Sequence, residues 1–247
     1  MKAYSMTDTG VLREMNQDYF FMTDSAIGNL PNLYIVADGM GGHRAGDYAS
    51  RHTIERVVAS ISRNKSDEPV TILKEAIAKA NELLVNDAKT DEQKKDMGTT
   101  IVAATIIGNK MFVANVGDSR LYVINQKIRQ ITRDHSLVGE LVRIGELDEK
   151  EARNHPKKNY ITRAVGAMEE VEVDFFEVEI TPDDYVLLCT DGLTNMVTDQ
   201  DICKIILDNK IIEKQVETLI HTANRNGGRD NITVMIMKPF SDEVKEC

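Results

Sequence analysis

Residues 99–118, TTIVAATIIGNKMFVANVGD, contain two runs of β-branched and apolar side chains on either side of Gly108-Asn109. Gly-Asn between two such runs is a tight-turn signal, so 99–107 and Lys110–Val116 are predicted to form a β-hairpin. Several apolar positions are consecutive, which is typical of strands buried on both faces. Two sheets packed face to face, with helices outside, would explain this pattern.

The rest of the chain divides into short strands and pairs of helices. Further strand-like segments lie at 19–21, 33–37, 121–124, 128–131, 185–189 and 232–237. Apolar side chains recur at helical spacing in 54–61, 72–84, 202–206 and 216–220. Thr198 is predicted to cap the third of these helices. Because regular β-α-β alternation is missing, we predict an α+β fold of two packed antiparallel β-sheets flanked by helices, an α-β-β-α sandwich.

Composition narrows the class of protein. The 247 residues, 42% hydrophobic and 28% charged, indicate a single globular domain at 1–240 with a charged tail at 241–247. A net charge of -10 without a basic cluster argues against binding to nucleic acid. No apolar run suggests a signal peptide or a membrane span. Cys189, Cys203 and Cys247 are too far apart in the sequence for a zinc-binding motif. We expect their thiols to be reduced, which suits a cytoplasmic location. We also expect a monomer.

Aspartates follow or precede several strands. Asp38, Asp118 and Asp191 each come just after an apolar run, while Asp18 and Asp230 stand just before one. Carboxylates gathered at strand ends would repel each other unless cations neutralised them, and all-oxygen ligand sets suit Mg²⁺ or Mn²⁺. Each Asp-Gly pair by itself is more often a turn than a ligand. The residues alone therefore indicate a possible metal site and no more.

Seven short motifs in a fixed order suggest a family. They are Arg13-Glu14-Met15-Asn16-Gln17-Asp18, Asp38-Gly39-Met40-Gly41-Gly42-His43, Met97-Gly98-Thr99-Thr100, Gly117-Asp118-Ser119-Arg120, Asp134-His135-Ser136-Leu137, Thr190-Asp191-Gly192-Leu193 and Gly228-Arg229-Asp230-Asn231-Ile232-Thr233. This series resembles the protein phosphatase 2C family in its bacterial form. The resemblance implies metal-dependent hydrolysis of phosphoserine and phosphothreonine in proteins, with Mn²⁺ or Mg²⁺ as cofactor, and a core of paired antiparallel sheets.

The resemblance also assigns metal ligands. Asp38 would bridge two cations, with the carbonyl of Gly39 on the second. Asp191 and Asp230 would bind the first cation. Asp118 would help Asp191 bind a third.

Three residues near the start of the chain receive supporting roles from the same resemblance. Arg13 would bind the substrate phosphate, for which a planar guanidinium is well suited. Asp18 would act through water, and Gln17 stands where many members have Glu. Two cations sharing a carboxylate could activate a water for attack on phosphorus, so no nucleophilic Cys or Ser is needed.

Met40 departs from the family pattern, because many members have His there as the proton donor. His43 follows after two glycines and is the nearest side chain that titrates near neutrality. We therefore predict a catalytic role for His43 as general acid. Water as the donor, or a role for His43 in ordering the next helix, are the alternatives.

Two further features are more ambiguous. The segment 137–163, here called the flap, is charged and helical in its first half, and it resembles a small subdomain beside the family's active site. Its basic stretch at 156–158 would meet acidic substrates or would be a solvated loop. His135 is interpreted as a buried histidine rather than a catalytic one, and Ser119 as a turn residue.

Partners follow from the expected activity. We expect phosphorylated proteins as substrates and a serine/threonine kinase of the same cell as the opposing enzyme, with no nucleic acid or membrane partner. The alternatives are a phosphoprotein-binding pseudophosphatase and a small-molecule phosphoesterase. A pseudophosphatase would normally lack some of the ligand aspartates, and here all of the matching positions are filled.

Overall fold

The computed structural model describes residues 1–42, 45–148, 151–152 and 155–240, and within them it gives the bounds of eleven strands and six α-helices. The strands are β1 Lys2–Asp8, β2 Asp18–Thr23, β3 Leu33–Met40, β4 Gly98–Thr99, β5 Ile101–Ile107, β6 Lys110–Val116, β7 Arg120–Ile124, β8 Ile128–Gln130, β9 Asp174–Glu179, β10 Tyr185–Cys189 and β11 Ile232–Lys238. The helices are α1 Ala45–Ile61, α2 Pro69–Thr90, α3 Leu137–Arg143, α4 Asp191–Thr194, α5 Asp199–Asp208 and α6 Ile212–Arg225.

The strands form two antiparallel sheets. One has five strands in the order β1-β11-β10-β7-β8. The other has six, in the order β2-β3-β5-β6-β9, with the short β4 paired to β3. The predicted hairpin is β5 and β6, joined through Gly108 at a φ of +62°. That positive φ is natural for glycine and explains the sharp reversal.

Three apolar layers confirm the predicted α-β-β-α sandwich. Alternate residues of β3 face opposite sides, as pleated strands require. Leu33 and Ile35 pack against α1 and α2, while Tyr34 and Val36 pack between the two sheets. A third layer joins the other sheet to α5 and α6, with Ile236 of β11 buried in it. The strands are therefore apolar on both faces because each sheet lies between two apolar layers.

The predicted helix cap is also confirmed. The Thr198 side chain accepts a hydrogen bond from the Asp201 backbone N–H at 3.1 Å, and α5 begins at the next residue. Such caps contribute about 1 kcal/mol to helix stability. Two strands, β1 and β9, were not predicted. The tail at 241–247 lies outside the described residues.

Candidate active site

The two sheets bring the ends of five strands to one edge. Asp18 lies opposite Asp38 in the β2–β3 register. Asp191 follows β10 and Asp230 precedes β11, and these two strands are antiparallel neighbours. Asp118 follows β6, which runs parallel to β3 because β5 lies between them. The edge therefore gathers all five aspartates singled out in the sequence.

Two threonine hydroxyls hold the carboxylate of Asp18. The hydroxyls of Thr190 and Thr233 both donate to its Oδ2, at 2.8 and 2.7 Å. Its Oδ1 is buried without a hydrogen-bond partner, and the residue is only 5% exposed. Burial, opposed by these two hydrogen bonds and reinforced by Asp191 and Asp230, raises the pKa of Asp18 to about 7.

Asp38 sits at the centre of the negative charge. Its backbone N–H donates to the Thr100 hydroxyl at 2.9 Å, and its carbonyl accepts from the Thr99 hydroxyl at 2.8 Å. Burial raises the pKa of its carboxyl well above the usual range, with repulsion from Asp18 and Asp191 adding to the effect. The backbone is thus fixed while the carboxylate faces like charges.

Asp191 and Asp230 form a second close pair. Burial, together with repulsion from Asp230, raises the pKa of Asp191 to about 6. Asp191 Oδ2 accepts from the Asn195 side-chain amide at 2.9 Å, while its Oδ1 is buried without a partner. Asp230 Oδ2 accepts from Arg13 Nη2 at 2.9 Å. The site therefore combines unpaired anionic oxygens with one arginine.

Asp118 is the fifth aspartate of the site, and its carboxyl interacts with the charge of Asp191. It is 5% exposed, and its Oδ1 has no hydrogen-bond partner. Burial raises the pKa of its carboxyl, and Asp191 is the charge that contributes most after burial. The neighbouring Ser119 hydroxyl is 2.7 Å from the Thr100 hydroxyl, which agrees with the structural role expected for it.

These carboxylates fit divalent cations. Buried oxygens of Asp18, Asp118 and Asp191 lack hydrogen-bond partners, and unpaired buried charges are costly unless a counter-charge is present. The donor set is entirely oxygen, which suits Mg²⁺ and Mn²⁺. Among the described residues, no three His, Cys, Asp or Glu side chains form a ready-made ligand group. The fit therefore rests on the unpartnered oxygens and on the mutual repulsion of the carboxylates.

The loop at 9–17 carries Arg13 and is pinned beside Asp230. The backbone N–H groups of Val11 and Leu12 donate to the Gly228 carbonyl at 2.7 and 3.1 Å. The Asn231 side chain donates to two carbonyls of the loop and accepts from the Gln17 backbone N–H. The Arg13 side chain remains 49% exposed. A guanidinium held in this way is accessible to a phosphate in solution.

Gly39 and Gln17 lie where the start of α1 meets the site. A Cβ on Gly39 would lie 2.0 Å from the Gly46 carbonyl oxygen, so no other residue fits there. The Gln17 amide lies against Gly46, and the Gln17 carbonyl accepts from the Gly39 N–H at 3.1 Å. His43 lies outside the described residues, so its predicted role stays a prediction. Met40 ends β3.

His135 is buried, as expected. Its Nδ1 accepts from the Gly117 N–H at 3.1 Å, and its Nε2 lies 3.2 Å from Asp174. Both ring nitrogens therefore have partners, and the residue is 3% exposed. It fixes the turn that leads from β6 to Asp118.

The flap begins with α3, and residues near its end contact residues at its start. A β-bridge joins Ser136 to Ile161, and the Leu137 N–H donates to the Tyr160 carbonyl at 2.9 Å. Lys158 Nζ donates to Asn195 Oδ1 at 2.9 Å. Of the basic stretch, Lys158 thus faces the site, whereas Lys157 is exposed.

Sequence reasoning gave no role to Thr190, Thr233 or Asn195, although two of them stand inside the quoted motifs. Thr190 and Thr233 come close to Asp18 only through the pairing of β10 with β11, which the sequence alone does not show. Asn195 is four residues after Asp191, the spacing at which side chains meet on a helix, and that signal could have found it.

Comparison with known proteins identifies the family of the chain and supports its fold. The family model for protein phosphatase 2C matches residues 9–232. A serine/threonine phosphatase of Listeria monocytogenes is 40% identical over 243 residues, covering 96% of each chain. The crystal structure of serine/threonine phosphatase Stp1 from Staphylococcus aureus superposes with a TM-score of 0.89 at 35% identity, covering 95% of this chain and 93% of that one. The catalytic domain of the phosphatase PstP with two manganese ions gives 0.83 at 30% identity, covering 95% and 96%.

Proposed function

Because the chain belongs to the protein phosphatase 2C family and is a metal-dependent serine/threonine protein phosphatase, we propose that Asp38, Asp191 and Asp230 hold its catalytic cations. The observation that carries this assignment is the convergence of repelling, partly buried carboxylates at one sheet edge. Gly39 would add its backbone carbonyl, and Asp18 would support Asp38 from the opposite strand position. Asp118 would contribute to a third, weaker cation together with Asp191.

The chain's own groups would position the reaction. When bound, two divalent cations would lower the pKa of a nearby water and neutralise phosphate charge. Arg13 would bind the phosphate oxygens with its fork of N–H donors, and its hydrogen bond to Asp230 aims it at the site. Thr190 and Thr233 hold Asp18 in one orientation. Gln17 keeps the start of α1 against Gly39 through its backbone and side chain.

The physiological setting is part of the same proposal. We favour Mn²⁺ or Mg²⁺ as cofactor, supported by the all-oxygen ligand set. Phosphorylated proteins would be the substrates, and a serine/threonine kinase of the same cell would supply them. The free thiols of Cys189 and Cys203 suit a cytoplasmic location. Within the described residues, none of the helices has the length and apolar character of a transmembrane span.

The metal assignment predicts a loss of activity in chelator. Hydrolysis of a phosphothreonine peptide should vanish in EDTA and return with Mn²⁺ or Mg²⁺. Binding to the folded state should also raise the melting temperature, because a ligand at 100 times its Kd stabilises by about 2.7 kcal/mol. Phosphate release and thermal melts, with and without Mn²⁺, measure both effects. Full turnover in chelator would contradict the mechanism.

Arg13→Ala should raise the KM for a phosphopeptide about tenfold or more. A hydrogen bond to a charged group contributes about 1.5–3 kcal/mol, and about 1.4 kcal/mol corresponds to a factor of ten. Steady-state kinetics measure the change, with Arg129→Ala on the distant strand β8 as the control. An unchanged KM would assign Arg13 to the Asp230 ion pair alone.

Asp118→Asn should lower kcat while two cations still bind tightly. The substitution removes charge from a carboxylate that interacts mainly with Asp191 and keeps the size of the side chain. Calorimetric titration with Mn²⁺ counts the tight sites, and kinetics on the same sample give kcat. Loss of a tight site would instead place Asp118 in the main cation pair.

A further inference from the structure

Lys158 of the flap contacts the end of α4. The flap residues 155–160 form consecutive turns in which the Lys158 N–H donates to the His155 carbonyl at 3.1 Å and the Tyr160 N–H to the Lys157 carbonyl at 3.1 Å. This turn points Lys158 towards Asn195, and its Nζ donates to the Asn195 Oδ1 at 2.9 Å. Lys158 is half-buried there, unlike its exposed neighbour Lys157.

The side-chain amide of Asn195 makes one hydrogen bond through its oxygen and one through its nitrogen. Its Oδ1 accepts from Lys158, and its Nδ2 donates to Asp191 Oδ2 at 2.9 Å. Its backbone N–H donates to the Asp191 carbonyl at 2.7 Å, so the residue itself is fixed by the turn of α4. The Asp191 carboxylate is thereby held by one oxygen, while Oδ1 has no partner among the described residues. That unpartnered oxygen is the one available to a cation.

We propose that Lys158 is a positioning residue that orients the Asp191 carboxylate for its cation through Asn195. The inference rests on the proposed function, in which Asp191 is a metal ligand. The lysine fixes and polarises the amide, and the amide in turn fixes the carboxylate. Metal affinity and the docking of the flap are then coupled, and the coupling is reciprocal. None of the seven sequence motifs includes Lys158 or Asn195.

The direction in which Mn²⁺ affinity changes distinguishes this positioning relay, from Lys158 through Asn195 to Asp191, from a purely electrostatic effect of the lysine charge. The Lys158 charge also partly offsets the rise that burial causes in the pKa of Asp191, so the titrations are run at pH 8, where protons compete little for this carboxylate. At that pH, removing a positive charge near a dication site should strengthen cation binding if Coulomb repulsion is all that Lys158 contributes. Losing an orienting partner should weaken binding, since outer-shell substitutions cost about 10–100-fold in metal affinity. If Lys158 only holds the flap in place, its substitution should leave the Mn²⁺ affinity unchanged.

The test compares Lys158→Met with Lys157→Met, which removes the same charge one residue away. Calorimetric titration of the metal-free protein with Mn²⁺ gives the affinity, and the Mn²⁺-induced rise in melting temperature gives an independent readout. Lys158→Met should weaken Mn²⁺ binding by about tenfold, and Asn195→Ala by about 10–100-fold. Lys157→Met should stay within about twofold of the parent. Lys158→Arg, which keeps the charge and the N–H donors, should recover most of the loss.

A double variant tests the pathway. If the lysine acts through the amide, Lys158→Met added to Asn195→Ala should cause no further loss, whereas independent effects would multiply. Unchanged or tighter Mn²⁺ binding in Lys158→Met overturns the proposal, as does a multiplicative double variant. Asp191→Ala is titrated alongside. If it binds Mn²⁺ normally, the ligand assignment and the relay both fail; if it loses binding while Lys158→Met keeps it, only the relay fails.

Discussion

Asp191→Ala is expected to lower kcat on a phosphothreonine peptide by about 10³-fold or more. Metal-ion catalysis contributes several kcal/mol, and each 1.36 kcal/mol is a factor of ten in rate. Asp191 interacts with the charges of both Asp118 and Asp230, so its loss would affect two cation positions. Steady-state kinetics with saturating Mn²⁺, together with calorimetric counting of bound Mn²⁺, check the expectation.

The same substitution should leave the metal-free fold intact. The pKa of Asp191 is raised to about 6, so between about pH 4 and 6 the folded chain binds more protons than the unfolded one. Its contribution to the free energy of unfolding therefore falls as pH rises through that window. Removing the carboxylate should make the chelated protein at least as stable at pH 8 as its parent in a thermal melt.

Two controls make the Asp191 result decisive. Asp183→Ala removes an exposed carboxylate just before β10, at the far end of the strand that leads to Asp191, and should change neither turnover nor Mn²⁺ binding. Asp191→Asn keeps an oxygen for the Asn195 amide, so it separates loss of charge from loss of that hydrogen bond. A near-normal kcat in both Asp191 variants would remove this residue from the ligand set.

The layered fold could be predicted because both main signals are local. The hairpin of β5 and β6 is encoded by β-branched runs and Gly108, and the helices by the spacing of their apolar residues. Strands apolar on both faces then leave only a sandwich covered by helices. The distribution of buried residues into three layers is the physical reason that this inference succeeded.

The two missed strands depend on distant partners. β1 pairs with β11, more than two hundred residues away, and its side chains are all half-buried with no clear alternation. β9 has charged residues among its aromatic ones. Among the described residues it is the end strand of its sheet, where it pairs with β6. Edge strands lie partly in solvent, so the period of two that marks a half-buried strand is weak in both.

The aspartates of the site were predicted, but the groups that hold them were not. Asp38 and Asp191 follow apolar runs and so could be identified as strand-end carboxylates. The hydroxyls of Thr190 and Thr233 reach Asp18 only because β2, β10 and β11 meet across the two sheets. A motif gives the position of a side chain along the chain, whereas its hydrogen-bond partners depend on tertiary packing.

His43→Ala is expected to slow hydrolysis of a phosphoserine peptide by about 10²–10⁴-fold, the usual contribution of a positioned general acid. The departing serine alkoxide needs a proton, and the thioether of Met40 cannot donate one. His43 follows Met40 after two glycines, and a histidine titrates near neutral pH. The residue lies outside the described part of the chain, so this prediction rests on the sequence. His221→Ala, an exposed histidine on α6, is the control.

The leaving group separates this role from its alternatives. p-Nitrophenolate departs as a stable anion, so loss of a general acid should barely slow hydrolysis of p-nitrophenyl phosphate. For the peptide, the parent's rate should fall on the alkaline side as the acid loses its proton, and His43→Ala should flatten that limb. Equal losses on both substrates would indicate that His43 orders the start of α1 or the cation site. No loss on either would leave water as the proton donor.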